Sequence, residues 1–339
     1  METINVLYAS DDNFSAVLGT ALYSLFEHNK DNEIQVYVIS QQITQENKTR
    51  LRQVGTEFCR AVTIIEQPDL ESILGKSIDV QRYSLSMFSR LIADSLLPDE
   101  VERVLYLDCD TIIQGNILPL WSTDLHGNTI GAVDDMRTFR YCRNLGMKRT
   151  SHYINSGVLL IDIKKYRELK WQKRMLDAIA KYDTYLEFPD NDLICKLMQD
   201  EIQLLPPRYN VISSMYMGDY NKCMKMRHPY LYYTKSEFDE AKANPVVIHY
   251  TTCFAFVGRP WLQGCTHPRK EAFEECFKKT PWKEEEFKLP QKHSRDFARR
   301  VYESLPEQLG VLMIWFLHSW LKPNIQYFTK KRYKRIFKE

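Results

Sequence analysis

The stretch RVLYLDCDTII, residues 103–113, sets Asp108 and Asp110 on either side of a cysteine, directly after four apolar or aromatic residues. Two carboxylates that close repel each other, and they stay ionised together only with a cation between them or a proton shared. Metal binding or phosphoryl chemistry is the implied use. A chain of 339 residues holds about one Asp-x-Asp by chance, so context has to decide, and a strand-end turn made by aspartate side chains is the competing explanation. Val104, Leu105, Tyr106 and Leu107 show no alternation, which predicts a strand covered on both faces, as in a parallel sheet between helices. The carboxyl ends of such strands are where α/β proteins bind ligands.

The same placement recurs along the chain. Asp11 and Asn13 follow an expected strand at Ile4 to Ala9, and Asp134 follows one at Ile130 to Val133. Asn155, Ser156 and Gly157 adjoin Val158 to Ile161, and His249 follows Pro-Val-Val-Ile. Convergence of these groups at one sheet edge is expected. Mn²⁺ or Mg²⁺ takes carboxylate oxygens, and an imidazole among the ligands tilts the choice towards Mn²⁺. For His249 the alternative is a buried histidine satisfied by its neighbours.

The elements that must position these groups read as alternating strands and helices. Behind the first strand, Phe14, Val17, Leu18, Ala21, Leu22 and Leu25 keep a helical rhythm, with Asp12-Asn13 as a cap, and Glu33 to Ile39 makes the next strand. The turn between them is Ser-Asp-Asp-Asn with no G-x-G-x-x-G, which argues against a dinucleotide fingerprint. Such a turn can hydrogen-bond a base and ribose, or simply cap the helix. Further strands are expected at 62–66, 104–107, 202–205 and 246–249, with helices near 84–96, 164–182 and 190–199. This pattern predicts a layered α/β fold.

These motifs, in this order, resemble glycosyltransferase family 8, the retaining nucleotide-sugar enzymes. The resemblance rests on ASDDNF at 9–14, SRL at 89–91, RVLYLDCDTII, GNILPLW at 115–121, INSGVLLIDIKKY at 154–166, DND at 190–192 and HYTTCFAFVGRPW at 249–261. It implies a GT-A type, Rossmann-like sheet flanked by helices over residues 1–270. It also implies a UDP-hexose donor (UDP-glucose or UDP-galactose), a saccharide or glycolipid acceptor, and Mn²⁺ (or Mg²⁺) held by Asp108, Asp110 and His249. Residue by residue, it places Ala9, Asp11 and Asn13 on the donor, the last two at uridine. Arg90 and Asp134 fall on the transferred sugar, with Asn155 nearby and Asp190 and Asn191 beneath its anomeric carbon. The family often has Gln in place of Asn191. Its closing motif is longer here and ends Gly258-Arg259-Pro260-Trp261, so Arg259 stands where a diphosphate-clamping lysine is common. Two of these residues have local alternatives: Arg90 can pair with Asp94 along a helix, and Asp190 can be an N-cap.

The rival enzymatic reading is a phosphatase of the haloacid dehalogenase type with Asp108 as nucleophile, although Ile112 stands where that motif has Thr or Val. An inactive membrane-surface scaffold is the non-enzymatic rival. A net charge of +2 does not argue for nucleic acid. Eight cysteines scattered singly, with no zinc spacing, read as reduced thiols. The first residues lack the basic and apolar regions of a secretory signal. The longest apolar run, 311–321, is about half a membrane span.

From Lys322 onward seven Lys/Arg face one Glu, interleaved with aromatics. Residues 271–339 are therefore expected to form a helical, basic tail that associates with an anionic membrane. The alternative packs Trp315 and Trp320 on the catalytic domain. A cytoplasmic enzyme peripheral on the inner face of the plasma membrane, building a bacterial surface glycan, is the resulting expectation.

Overall fold

Alternate residues of the first strand, β1 (Ile4–Asp11), enter two different cores: Ile4, Val6 and Tyr8 on one face, Leu7 and Ala9 on the other. The strands β2 (Ile34–Gln41), β4 (Arg103–Leu107) and β7 (Ile154–Asp162) divide their side chains in the same way. A strand buried on both faces must be apolar at every position, so the run Val104 to Leu107 shows no alternation. With β3 (Val62–Glu66), β6 (Ile130–Asp134) and β8 (Ile202–Leu204) these strands form a seven-stranded sheet of order β3-β2-β1-β4-β7-β6-β8. This computed structural model describes residues 3–67, 90, 92–182, 188–290 and 295–331.

The sheet is mixed rather than parallel, because β7 runs antiparallel to both β4 and β6. Apolar runs report burial on two faces, not the direction of the neighbouring strand. A second, three-stranded sheet joins β5 (Thr111–Ile113), β10 (Val247–His249) and β9 (Val211–Ile212), in the order β5-β10-β9. It begins one residue after Asp110, and its register sets His249 opposite Thr111. His249 thus reaches the acidic pair from a sheet other than the one that carries the pair.

Helix Ser15–Glu27 buries Val17, Leu18, Ala21, Leu22 and Leu25 as its spacing predicts. Asp12-Asn13 do not cap it: the helix starts from Phe14 with no side-chain cap, and Asp11 caps the 3-10 turn Asp12–Phe14 before it, its Oδ1 accepting from the Phe14 amide. The helix expected over 164–182 is two, Ile163–Glu168 and Trp171–Tyr182, broken where Lys170 adopts φ +49°. Of the helix expected over 84–96, most lies outside the described residues, and Ala93–Leu96 is helical.

Most of the described residues after 270 are helical. Helix Lys270–Phe277 and the residues behind it supply Phe273, Phe277 and Trp282 to the main core, and a Cβ on Gly19 would sit 2.2 Å from the Trp282 ring. Helix Glu307–Ile314, a π-helical turn Trp315–Leu321 and helix Lys322–Lys331 then lie against helices Phe139–Asn144 and Tyr220–Arg227. The contacts are specific. Ser319 Oγ lies 2.8 Å from the carbonyl oxygens of both Met226 and Arg227, and Asn144 Nδ2 donates to the Pro323 carbonyl at 2.8 Å. Ile314, Ser319 and Pro323 are buried; Trp315 is half-buried, and Trp320 is 39% exposed and stacks on Phe316. The basic residues 332–339 lie outside the described residues. Among the described residues, no helix is long and apolar enough to cross a membrane.

Candidate active site

Strand β4 ends at buried Leu107, and a tight turn follows in which the Thr111 amide and hydroxyl both donate to the Asp108 carbonyl, at 3.2 and 2.7 Å. Cys109 points inward, its thiol on the Ala9 carbonyl at 3.1 Å. The Asp108 amide donates to Gly157 on β7 at 2.8 Å. Asp108 and Asp110 project on the other side of the turn towards His249, whose Nε2 lies 3.1 Å from Asp110 Oδ1 and 3.7 Å from Asp108 Oδ2. One donor atom from each of the three residues falls within a 4.8 Å cluster. Gly157 makes the fit possible, since a Cβ there would sit 2.1 Å from His249 Cε1 and 2.9 Å from Asp108 Oδ2.

The electrostatics follow from burial of charge. Burial pushes the Asp108 carboxyl up; Arg90 opposes this and the neighbouring Asp110 adds to it. Burial also works to raise Asp110, but His249 and Arg259 outweigh it and hold that carboxyl below its ordinary range. For His249, burial disfavours the charged ring, yet Asp110 and then Asp108 raise its pKa above the ordinary value. Two carboxylates and an imidazole at this spacing suit a divalent ion of the Mn²⁺ or Mg²⁺ kind.

Arg90 is buried and forms no pair with Asp94. It bridges Asp108 Oδ1 at 2.7 Å and Asp190 Oδ2 at 2.9 Å, and donates to the Ser156 carbonyl and hydroxyl at 3.0 and 2.6 Å. Ser156 in turn donates from its hydroxyl to Asp190 Oδ2 at 2.7 Å and from its amide to Asn191 Oδ1 at 2.8 Å. Asp190 and Asn191 lie in the first turn of helix Pro189–Leu197, whose N-cap is Phe188. The N-cap role that was the alternative for Asp190 therefore falls to Phe188, with no side-chain cap, and Asp192 accepts from the Phe188 amide at 3.0 Å.

The remaining predicted residues occupy the same edge. Arg259 follows Gly258, which has φ +61°, and reaches Asp110 Oδ2 at 3.0 Å and Thr252 Oγ1 at 2.7 Å. Asp134 is buried at the end of β6, with Oδ1 on the Met136 amide at 2.7 Å and Oδ2 on His152 Nδ1 at 2.8 Å. Asn155 is buried on β7 and donates to Asp135 Oδ1 at 3.2 Å. At the end of β1, Asp11 caps the turn and Asn13 is exposed. Asp12 ties the turn to the start of the next helix, with Oδ1 accepting from the Thr44 amide, the Thr44 hydroxyl and Asn47 at 2.8 Å each.

Three contributors escaped sequence reasoning: Tyr106, whose hydroxyl donates to Asp108 Oδ1 at 2.9 Å, His152 and Asn210. Tyr106 reads as one more apolar strand position. Asn210, between Tyr209 and Val211, belongs to no pattern at all.

Comparison with known proteins agrees with this arrangement. General stress protein A of Bacillus subtilis (strain 168) is 23% identical over 285 residues, 83% of this chain and 95% of that protein. Lipopolysaccharide 1,2-glucosyltransferase of Escherichia coli is 22% identical over 321 residues, 89% and 87% of the two chains. Among solved structures, galactosyltransferase LgtC, in complex with donor and acceptor sugar analogs, superposes with a TM-score of 0.69 at 25% identity, covering 82% of this chain and 96% of its own. Glycosyltransferase GlyE of Streptococcus pneumoniae TIGR4 shares the fold, with a TM-score of 0.59 at 21% identity over 93% of this chain and 64% of its own. The mixed sheet flanked by helices is thus the GT-A, Rossmann-like arrangement. The Glycosyl transferase family 8 profile matches residues 5–264, from β1 through the loop that carries Arg259, and the chain belongs to that family of glycosyltransferases.

Proposed function

We propose that the protein is a retaining, metal-dependent hexosyltransferase that moves glucose or galactose from a UDP-sugar to a saccharide or glycolipid of a bacterial surface glycan. The observation that carries this reading is the Asp108, Asp110 and His249 cluster, joined through Arg90 to Asp190. The likeness to a lipopolysaccharide glucosyltransferase and to LgtC supports the substrate class. In this reading Asp108, Asp110 and His249 hold Mn²⁺, or Mg²⁺ in its place. When bound, the ion acts as a Lewis acid that neutralises charge developing on the departing diphosphate.

The chain's own residues do the rest. Arg259 offers a planar guanidinium to phosphate oxygens, and Ala9, Asp11 and Asn13 bind the nucleoside at the end of β1. Arg90, Asp134 and Asn155 orient the hexose, with Asp190 and Asn191 below its ring. Asp190 already accepts from a guanidinium and a hydroxyl, which makes it a weak Lewis base suited to steadying an oxocarbenium ion rather than to attacking it. A phosphatase reading requires a free Asp108 oxygen, whereas Oδ1 accepts from both Arg90 and Tyr106 and Oδ2 faces His249. An inactive scaffold leaves the assembled acidic cluster without a use.

The test is thermal protection by individual UDP-sugars with Mn²⁺, followed by NMR of the product. Protection by UDP-glucose or UDP-galactose and an α-linked product are expected. No protection by either nucleotide sugar, or a β-linked product, overturns the reading.

The C-terminal region extends the proposal to a peripheral position on the cytoplasmic side of an anionic membrane. Leu309, Leu312, Phe316 and Trp320 recur at helical spacing and are all more than a third exposed, on helices whose other side packs inward. Apolar residues beside a basic terminus are the two components that surface helices combine. Binding to anionic vesicles should fall as salt rises and should be lost when Phe316 and Trp320 are both changed to serine. Salt-independent or absent binding of the intact chain excludes this placement.

A further inference from the structure

We propose that Asn210 is a positioning residue that sets which nitrogen of His249 faces the acidic pair. The proposal rests on the metal-site reading above. Asn210 is fully buried in the turn between the 3-10 segment Pro207–Tyr209 and β9. Its Nδ2 donates to Asn155 Oδ1 at 2.8 Å, and its Oδ1 lies 3.0 Å from His249 Nδ1.

An amide can be turned over, so its orientation must be argued from partners that have no choice. The series starts at Asp135, a carboxylate paired with Arg137 that can only accept. Asn155 therefore turns its amide nitrogen to Asp135 Oδ1, at 3.2 Å, and its oxygen the other way. A second fixed partner agrees: the Gly157 backbone amide can only donate, and it donates to that oxygen at 3.0 Å. Asn210 must then present Nδ2 to Asn155 and Oδ1 to His249. An oxygen at His249 Nδ1 calls for a proton there, which leaves Nε2 as the nitrogen facing Asp110 and Asp108. Histidines that ligate metals are commonly held through the other ring nitrogen in this way. Here the holder is a neutral amide, oriented by a carboxylate through a second amide.

Mn²⁺ alone, titrated into the full-length protein and followed by EPR, tests this. Nitrogen modulation in the pulsed EPR spectrum reports the His249 ligand directly. Asn210→Leu removes both bonds at similar volume, whereas Asn210→Asp keeps an acceptor for Nδ1–H and loses the donor to Asn155. Asn210→Leu should weaken Mn²⁺ binding roughly 10–100-fold and lose the nitrogen modulation, while Asn210→Asp stays within about threefold of wild type and keeps it. Equal loss in both variants, or wild-type binding by Asn210→Leu, overturns the proposal. Failure of the wild type to bind Mn²⁺ overturns the metal-site reading instead. If Asn210→Leu does not fold, long-range ¹H–¹⁵N correlations of the Mg²⁺-loaded wild type decide: a proton on His249 Nδ1 supports the proposal, and one on Nε2 overturns it.

Discussion

Replacing Gly157 by alanine adds one methyl group at the point where the two sheets meet. A Cβ at that position falls 2.1 Å from His249 Cε1, 2.7 Å from its Nδ1 and 2.9 Å from Asp108 Oδ2. Carbon atoms rest about 3.5–4.0 Å apart, so the ring has to retreat by roughly 1.4 Å or more. It has little freedom to do so. Asn210 holds Nδ1 at 3.0 Å, and β10 is paired on both sides, with β5 and β9. Gly157 has no left-handed backbone angle, so the effect comes from the side chain alone. Overpacking of this kind costs about 1–3 kcal/mol of stability. Displacing one of the proposed ligands should cost more in function: Mn²⁺ affinity is expected to fall at least about 10–100-fold, the range seen when ligand positioning is lost. Urea unfolding and Mn²⁺ titration read the two effects separately. Gly115→Ala is the control, because its Cβ would meet Val246 at 3.6 Å, an ordinary contact. If Gly157→Ala binds Mn²⁺ as the wild type does and unfolds at the same urea concentration, the packing argument for the site is wrong.

Asp110→Asn removes a charge that faces both His249 and Arg259. Thermal stabilisation by saturating Mn²⁺ and sugar transfer should both disappear while the circular dichroism spectrum is unchanged; near-normal transfer with excess Mn²⁺ would remove the metal assignment. Arg90→Met leaves Asp108 and Asp190 without their shared buried partner, and urea unfolding should show a loss on the order of 3–5 kcal/mol; a loss below about 1 kcal/mol would show that the bridge contributes little. His267 is buried among Tyr216, Tyr250 and Phe256, and burial, with help from Arg269, lowers its pKa to about 4. The unfolded chain therefore takes up a proton near pH 6.5 that the folded chain refuses until about pH 4, so stability is full above 6.5 and is lost as the pH falls between those values. The loss amounts to roughly 3 kcal/mol, and comparison of His267→Gln with wild type at pH 7.5 and 4.5 should show a smaller acid loss in the variant; equal losses would assign the acid sensitivity elsewhere.

The fold class and most of the candidate site were legible because their signals are local. An unbroken apolar run reports a strand covered on two faces, and a carboxylate just past its end lies at the sheet edge whatever the neighbouring strands do. Asp108, Asp110 and Asp134 were found in this way, and His249 by the same logic. Direction and pairing are not local. Nothing in Ile154–Asp162 announces that β7 runs against β4, and the apolar run at 246–248 does not say that it joins a second sheet. The helices of the C-terminal region were foreseen from composition, but composition could not say that Ser319 would turn inward and Trp320 outward. Spacing alone offers Arg90 a partner in Asp94, four positions on, and only the resemblance set it at the donor; the fold brings it to Ser156, 66 residues away. Asn210 meets Asn155 across 55 residues and His249 across 39. A neutral amide carries no charge, spacing or periodicity by which a reader of the sequence could single it out. Its role exists only once three strands and a turn have closed around it. Local chemistry thus determined which residues stand at the sheet edge, and tertiary packing decided which atoms of those residues face one another, because hydrogen-bond direction is settled by partners far apart in the chain.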